Sequence, residues 1–184
     1  MPYFMIIQRV NMKKFLLLVL SLVLFSNIAM AESSGYGISF GYGEADPDID
    51  IYRLGIKKDF TSKWFESDFG YFSGYFELSY NRWEHDDDDI NAVALSPVFT
   101  YCFGSETNTV RPYIEGGIGV AYLDEYHIAD RNLSTNFQFE DRIGVGVRIG
   151  FIDLNFRYMH YSNASIKSPN NGIDILLFTT AIQF

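Results

Sequence analysis

The stretch Phe137-Gln-Phe-Glu-Asp-Arg-Ile-Gly-Val-Gly-Val-Arg-Ile149 alternates between two kinds of side chain. Successive side chains of a β-strand point to opposite faces, so residues that share a face recur at every second position. One face of this stretch carries apolar side chains, those of Phe137, Phe139, Ile143, Val145, Val147 and Ile149. The other face carries Gln138, Glu140, Arg142, Gly144, Gly146 and Arg148. The pattern predicts a β-strand with one apolar and one polar face.

The same alternation recurs along the chain, in segments separated by turn and loop residues. It predicts strands at residues 35–44, 50–60, 72–84, 90–103, 110–123, 135–149, 151–162 and 173–184. The sequence therefore predicts an all-β fold, an eight-stranded antiparallel barrel. A soluble sandwich or a lipocalin-like barrel would show the same alternation with its apolar face turned inward, so periodicity alone does not choose between them.

Three features favour a transmembrane barrel of the outer-membrane type. The polar rows hold charges of both signs, such as Glu115 and Arg157, which suits a small barrel whose interior is filled by paired charges and conducts nothing. Connections alternate between a tight turn at Gly150 and longer polar segments at 84–90, 123–134 and 163–172, like periplasmic turns and outer loops. The last strand ends on Phe184, which resembles the signal that the outer-membrane assembly machinery recognises.

The first 31 residues have the organisation of a secretory signal peptide. Lys13 and Lys14 precede an apolar run over 15–25, and Ala29-Met30-Ala31 offers a small-x-small cleavage site. The apolar run is short for a membrane-spanning helix, which needs about 20 residues. We therefore predict a cleaved signal peptide over 1–31 and one barrel domain over 32–184.

Composition excludes several classes of function. The net charge of −9 becomes −12 once the three bases of the leader are removed, so nucleic acid is not an expected partner. Cys102 is the single cysteine, so no intrachain disulfide forms and no zinc-ligand spacing exists around it. We expect no metal and no cofactor.

A candidate nucleophilic site lies on the predicted lipid-facing side of the last two strands. His160 and Ser162 share one face of the seventh strand, and Asp174 heads the outward row of the eighth. His160 lies ten residues above the turn at Gly150 and Asp174 ten residues above Phe184, so both are expected about 25 Å up, beside the outer leaflet. A serine, a histidine and an acid at one level can form a catalytic triad.

The segment Arg157-Tyr-Met-His160-Tyr-Ser162-Asn163 and the following Pro169-Asn170-Asn-Gly172-Ile-Asp174 resemble the C-terminal signature of the lipid A 3-O-deacylases, the PagL type. This resemblance covers the last third of the chain specifically and the rest as barrel architecture. It implies an outer-membrane enzyme that hydrolyses the ester-linked 3-hydroxyacyl chain at position 3 of lipid A. Lipopolysaccharide and outer-membrane lipids are then its partners, and a homodimer stays open.

Residue roles follow from the resemblance. It implies that His160 is the base, Ser162 the nucleophile and Asp174 the third triad member, at a position where the family pattern has Glu. It also implies that Asn163 contributes to the oxyanion site, although its position in the strand alternation places its side chain on the inward face. Asn170 is implied to shape the loop around the site. The shorter aspartate raises the question of whether its carboxylate reaches the imidazole.

The sequence leaves two other functions open. A non-enzymatic barrel of the OmpA or OmpX kind, serving adhesion or envelope integrity, accounts for everything except the outward set of His160, Ser162 and Asp174. A lipid A acyltransferase barrel would need an acyl-binding interior, whereas the inward rows predicted here are charged and filled.

Overall fold

The computed structural model describes residues 35–86 and 88–184, and eleven β-strands lie in them. The strands are β1 (Tyr36–Ala45), β2 (Ile49–Asp59), β3 (Trp64–Ser67), β4 (Gly70–His85), β5 (Asp88–Phe103), β6 (Val110–Leu123), β7 (His127–Ile128), β8 (Arg131–Asn132), β9 (Phe137–Ile149), β10 (Ile152–Ser162) and β11 (Ile173–Gln183). The predicted signal peptide over 1–31 lies outside the described residues and stays a prediction. No helix in the described part of the chain is long and apolar enough to cross a membrane.

Eight of the strands close into an antiparallel barrel. The sheet runs β2-β1-β11-β10-β9-β6-β5-β4, and β2 pairs with β4 to complete the ring. The short β3 pairs with the lower part of β4, and β7 and β8 form a separate small hairpin. The eight strands predicted from alternation are those of the barrel, so the predicted fold is confirmed. We call the end of the barrel that holds Ser162 and Ile173 the upper end.

The β4–β5 connection differs from the prediction. Residues 84–90 were expected to form a long loop, but β4 continues to His85 and β5 begins at Asp88. Asp86 and Asp88 therefore lie at the tip of a hairpin rather than in a long loop. Pro97 lies within β5 at a point where the pairing with β6 is interrupted between Leu95 and Val98, which suits a residue without a backbone N–H.

The polar rows face the barrel interior and the apolar rows face outward, as predicted for a barrel in lipid. On β9, Glu140 and Arg142 are buried, whereas Ile143 and Val145 are exposed on the outer surface. A small closed barrel is filled by its own side chains, so the inward charges must pair with one another.

The middle of the interior is organised around Glu77, below an apolar cluster at the upper end that includes Ile49, Trp83 and Ile173. Its carboxylate accepts hydrogen bonds from Arg53 at 3.0 Å and Arg157 at 3.2 Å, and it also pairs with Arg142. Arg53 and Arg142 pair in addition with Glu140. All five side chains are buried, so this network holds the strands in register while leaving no unpaired charge among them.

The lower half contains a second buried cluster around Asp153. Lys57 lies 3.3 Å from its carboxylate, and the Tyr113 hydroxyl donates to it at 2.6 Å. Asn155 donates in turn to the Tyr113 hydroxyl at 3.1 Å. Together the two clusters confirm the predicted interior of paired charges.

Replacement of Glu77 by alanine should destabilise the barrel by about 3–5 kcal/mol, because removal of one partner from a buried ion pair leaves uncompensated charge. The guanidinium groups of Arg53, Arg142 and Arg157 would each lose a carboxylate partner. Urea unfolding of the protein in lipid vesicles, followed through the fluorescence of buried Trp83, measures the effect. Glu66→Ala, at an exposed glutamate of β3, is the matched control and should change the free energy of unfolding by less than about 0.5 kcal/mol. Equal losses in the two variants would contradict the assigned role of the network.

Candidate active site

His160 and Asp174 meet on the outer surface near the upper end of the barrel. They are register partners across the β10–β11 ladder, and His160 Nδ1 lies 2.6 Å from Asp174 Oδ1. Their side chains are 38% and 59% exposed on the face that also carries the apolar rows. The prediction that the two residues are neighbours at one level is confirmed. The shorter carboxylate of Asp174 reaches the imidazole without any shift of the strands.

Ser162 occupies the same face of β10, two residues beyond His160 at the end of the strand. It is half-buried, and its register partner on β9 is Phe139. The structure describes both side chains, and no hydrogen bond joins the Ser162 hydroxyl to His160. Catalytic hydrogen bonds are often long in unliganded enzymes and tighten when substrate binds, so the arrangement is compatible with a nucleophile beside its base.

Gly172 provides the space in which the imidazole sits. A Cβ atom at this position would lie 2.9 Å from His160 Cε1 and 3.5 Å from Nε2. These are the atoms at the free edge of the ring, since Nδ1 is engaged by Asp174. Gly172 also has a φ of +62°, a conformation that favours glycine. A side chain here would push the ring away from its position, and strand periodicity gives no sign of this role because Gly172 lies in a loop.

Gly172→Ala should lower the kcat of any reaction in which His160 acts as the base by about 100-fold, because a displacement of a reacting group by about 1 Å can cost that much. Gly150→Ala is the matched control, since Gly150 has a similar φ of +58° but nothing lies within 4 Å of its added Cβ. Both variants carry the same backbone strain, so both should lose similar stability in urea. The rate of that reaction should fall in the Gly172 variant alone; a comparable fall in both would show that strain, and not contact with the ring, is responsible.

Asn163 and Asn170 lie just beyond the strand and hold the adjoining loop. The Asn163 side chain is buried, and its Nδ2 donates to Leu133 O at 2.8 Å and to Lys167 O at 2.9 Å. Its backbone N–H donates to Asn170 Oδ1 at 3.1 Å. Both amide hydrogens of Asn163 are therefore engaged with loop carbonyls, and its inward parity is confirmed. A part in the oxyanion site stays a prediction and would require these hydrogen bonds to be exchanged.

The loop at 163–172 is joined to the loop at 124–136, which contains the β7–β8 hairpin. Asn132 N–H donates to Asn171 Oδ1 at 2.9 Å, and Asn171 N–H donates to Asn132 O at 3.2 Å. The Ser134 hydroxyl donates to Pro169 O. The two loops thus form one wall at the upper end of the barrel, beside His160 and Ser162.

The other flank of the site is formed by β9 and the strands next to it. Asp141 is the register partner of His160 on this side, but no ion pair joins these two described residues, so Asp174 is the carboxylate that orients the ring. Beyond Asp141 and Phe139, an apolar groove follows the outer surface of the barrel. It is lined by Phe76, Leu95, Pro97, Ile118, Val120 and Phe139. The groove therefore begins at the residue that pairs with Ser162.

The side chains of the site suit acyl transfer. Among residues 35–86 and 88–184, no three His, Cys, Asp or Glu side chains are grouped so that they could hold a metal ion. Asp174 accepts a hydrogen bond at one ring nitrogen of His160, which leaves the other nitrogen free to take a proton from a hydroxyl.

The sequence of the chain matches one family of known proteins. The family model described as lipid A 3-O-deacylase (PagL) matches residues 50–183. A lipid A deacylase PagL of Pseudomonas aeruginosa is 36% identical over 166 residues, which cover 89% of this chain and 94% of that protein. A lipid A deacylase PagL of Bordetella bronchiseptica is 30% identical over 174 residues, covering 90% of this chain and 93% of that protein.

Similarity extends to a solved structure. The crystal structure of the outer membrane enzyme PagL superposes with a TM-score of 0.76 at 33% sequence identity, covering 80% of this chain and 99% of that one. Both the whole barrel and the sequence signature of the last third therefore match one group of enzymes.

Proposed function

The chain belongs to the lipid A 3-O-deacylase (PagL) family, and we propose that Ser162, His160 and Asp174 form its catalytic triad. The protein is an outer-membrane β-barrel enzyme that deacylates lipid A. The bond cleaved in our proposal is the ester that joins a 3-hydroxyacyl chain to position 3 of the glucosamine. The hydrogen bond of 2.6 Å between His160 Nδ1 and Asp174 is the observation that carries the assignment.

The chemistry is that of a serine esterase. Asp174 holds the imidazole with its proton on Nδ1, so Nε2 can accept the proton of the Ser162 hydroxyl. The serine oxygen attacks the ester carbonyl, and the protonated His160 donates to the departing sugar hydroxyl. Water activated by His160 then hydrolyses the acyl-enzyme and releases the 3-hydroxy acid.

The position of the site fits a lipid substrate. The triad faces outward, in the rows that contact lipid, and not into the filled interior. A substrate embedded in the outer leaflet can present its ester to Ser162 while its acyl chains stay in the membrane. We propose that one chain follows the groove that begins at Phe139, since its lining is almost entirely apolar.

The two alternative functions are less well supported. A barrel for adhesion or envelope integrity gives no reason for a hydrogen-bonded His160–Asp174 pair beside a serine on a lipid-facing surface. An acyltransferase would hold its donor chain in the barrel, but the described interior is packed with buried side chains, ion pairs in its middle and lower parts and an apolar cluster at its upper end. Neither is favoured by the family match.

Mass spectrometry of lipid A tests the proposed reaction. The refolded protein in detergent is incubated with purified lipopolysaccharide, and the same preparation unfolded by boiling serves as control. We expect loss of a single 3-hydroxyacyl group from position 3 while the amide-linked chains remain. Intact lipid A after incubation with well-folded protein, across several lipopolysaccharide types, would refute it. The homodimer left open by the sequence stays a prediction, which chemical cross-linking in detergent tests.

A further inference from the structure

The upper end of the barrel is strongly acidic. Carboxylates lie in the β1–β2 turn, at the tip of the β4–β5 hairpin and in the loop after β6, for example Asp48, Asp86 and Asp124. Lipid A carries phosphate groups on its sugars, so most of this rim repels the headgroup of the substrate. A phosphorylated substrate therefore needs a basic position close to the triad.

Basic side chains are rare on this rim, and two of them lie on the wall beside the triad. Arg131 belongs to β8 in one of the two joined loops, and Lys167 belongs to the other. The loops are held together by the hydrogen bonds between Asn132 and Asn171. The Asn163 side chain bonds to Leu133 O and Lys167 O, so it ties both loops to the end of β10, next to Ser162.

The charges of Arg131 and Lys167 are available to a ligand. Arg131 is 31% exposed and has Asp130 at 3.5 Å, a carboxylate that is itself 76% exposed. An ion pair between exposed side chains contributes little stability, so a doubly charged anion can displace Asp130 from Arg131. No carboxylate within the described part of the chain forms an ion pair with the exposed Lys167. Arg82, by contrast, is held by Glu84 at 2.6 Å and Asp89 at 2.8 Å.

We propose that Arg131 and Lys167 form an anion subsite that binds the phosphate on the glucosamine whose acyl chain is cleaved. The inference rests on the proposed function, because it takes Ser162 as the position of the ester. Arginine binds phosphate oxygens through parallel N–H groups, and lysine adds a mobile point charge. Since the surrounding rim is acidic, this subsite orients the sugar with its ester towards Ser162.

A comparison of two substrates with two kinds of variant tests the subsite. The substrates are lipid A with both phosphates and lipid A that lacks the phosphate on the cleaved sugar. For the wild-type protein, removal of this phosphate should raise KM by about tenfold and leave kcat unchanged. In the Arg131→Gln/Lys167→Gln variant, KM for the full substrate should rise by the same factor, and removal of the phosphate should have no further effect. Arg82→Gln is the control and should behave like wild type.

Other outcomes would overturn the subsite. If the variant and the phosphate removal raise KM independently, so that their factors multiply, these side chains do not contact the phosphate. An equal loss in Arg82→Gln would assign the effect to the general charge of the rim. Binding of a fluorescent lipid A to the Ser162→Ala background gives the same comparison without turnover. Absence of hydrolysis by wild-type protein would refute the proposed function, whereas equal affinity for both substrates in the binding assay would refute the subsite.

Discussion

The Ser162→Ala variant is expected to lose lipid A deacylation by a factor of about 10⁵ or more, with a barrel that folds and migrates like the wild type. Removal of the nucleophile from a serine hydrolase costs about as much as removal of the whole triad, because the remaining groups have no hydroxyl to activate. Ser162 is half-buried at the end of β10, and its side chain takes part in no hydrogen bond of the described barrel. Its loss should therefore change the stability of the barrel by less than about 0.5 kcal/mol.

A matched serine makes this result specific. Ser165→Ala removes the same atom from an exposed position in the loop at 163–172 and should retain full activity. Initial rates of 3-hydroxy acid release, measured by mass spectrometry, compare the two variants, and heat-modifiable migration checks their folding. Retention of more than about one-hundredth of the activity by Ser162→Ala would exclude Ser162 as the nucleophile.

Much of the fold could be predicted because a barrel repeats one simple rule. Alternation in the segment that became β9 separates inward Glu140 and Arg142 from outward Ile143 and Val145, and the same rule holds on its neighbours. The pairing of His160 with Asp174 could also be predicted, since register follows from counting away from a tight turn and from the end of the chain. Short-range patterns were sufficient for these features.

The remaining features of the site depend on contacts that no periodicity encodes. The link between Asn132 and Asn171 joins loops nearly 40 residues apart, and the fit of His160 against Gly172 depends on the path of an irregular loop. The length of the β4–β5 hairpin was underestimated because its tip is acidic, and acidic residues are disfavoured in strands. Backbone pairing between β4 and β5 extends to His85 and Asp88 in spite of that low strand propensity.

Asp174→Asn should lower kcat by about 10⁴-fold, the second largest loss that we expect. The Asn side chain keeps the shape of Asp174, but its NH₂ group can donate to Nδ1, which favours the imidazole tautomer with its proton on Nε2. His160 could then no longer accept the proton of Ser162. The negative charge that stabilises the imidazolium in the transition state would be lost as well. Because Asp174 is 59% exposed, folding should be little affected.

Two further substitutions separate orientation from charge alone. Asp86→Asn, on the β4–β5 tip, removes one carboxylate from the same rim and should leave kcat unchanged. Asp174→Glu restores the charge with one more methylene, although the present carboxylate already reaches Nδ1 at 2.6 Å. We expect that variant to lose about tenfold, because the longer side chain must fold back to make the same hydrogen bond. If Asp174→Asn kept activity within about tenfold of wild type, Asp174 would not be the third member of the triad, and Asp141, the register partner of His160 on β9, would be the next residue to replace.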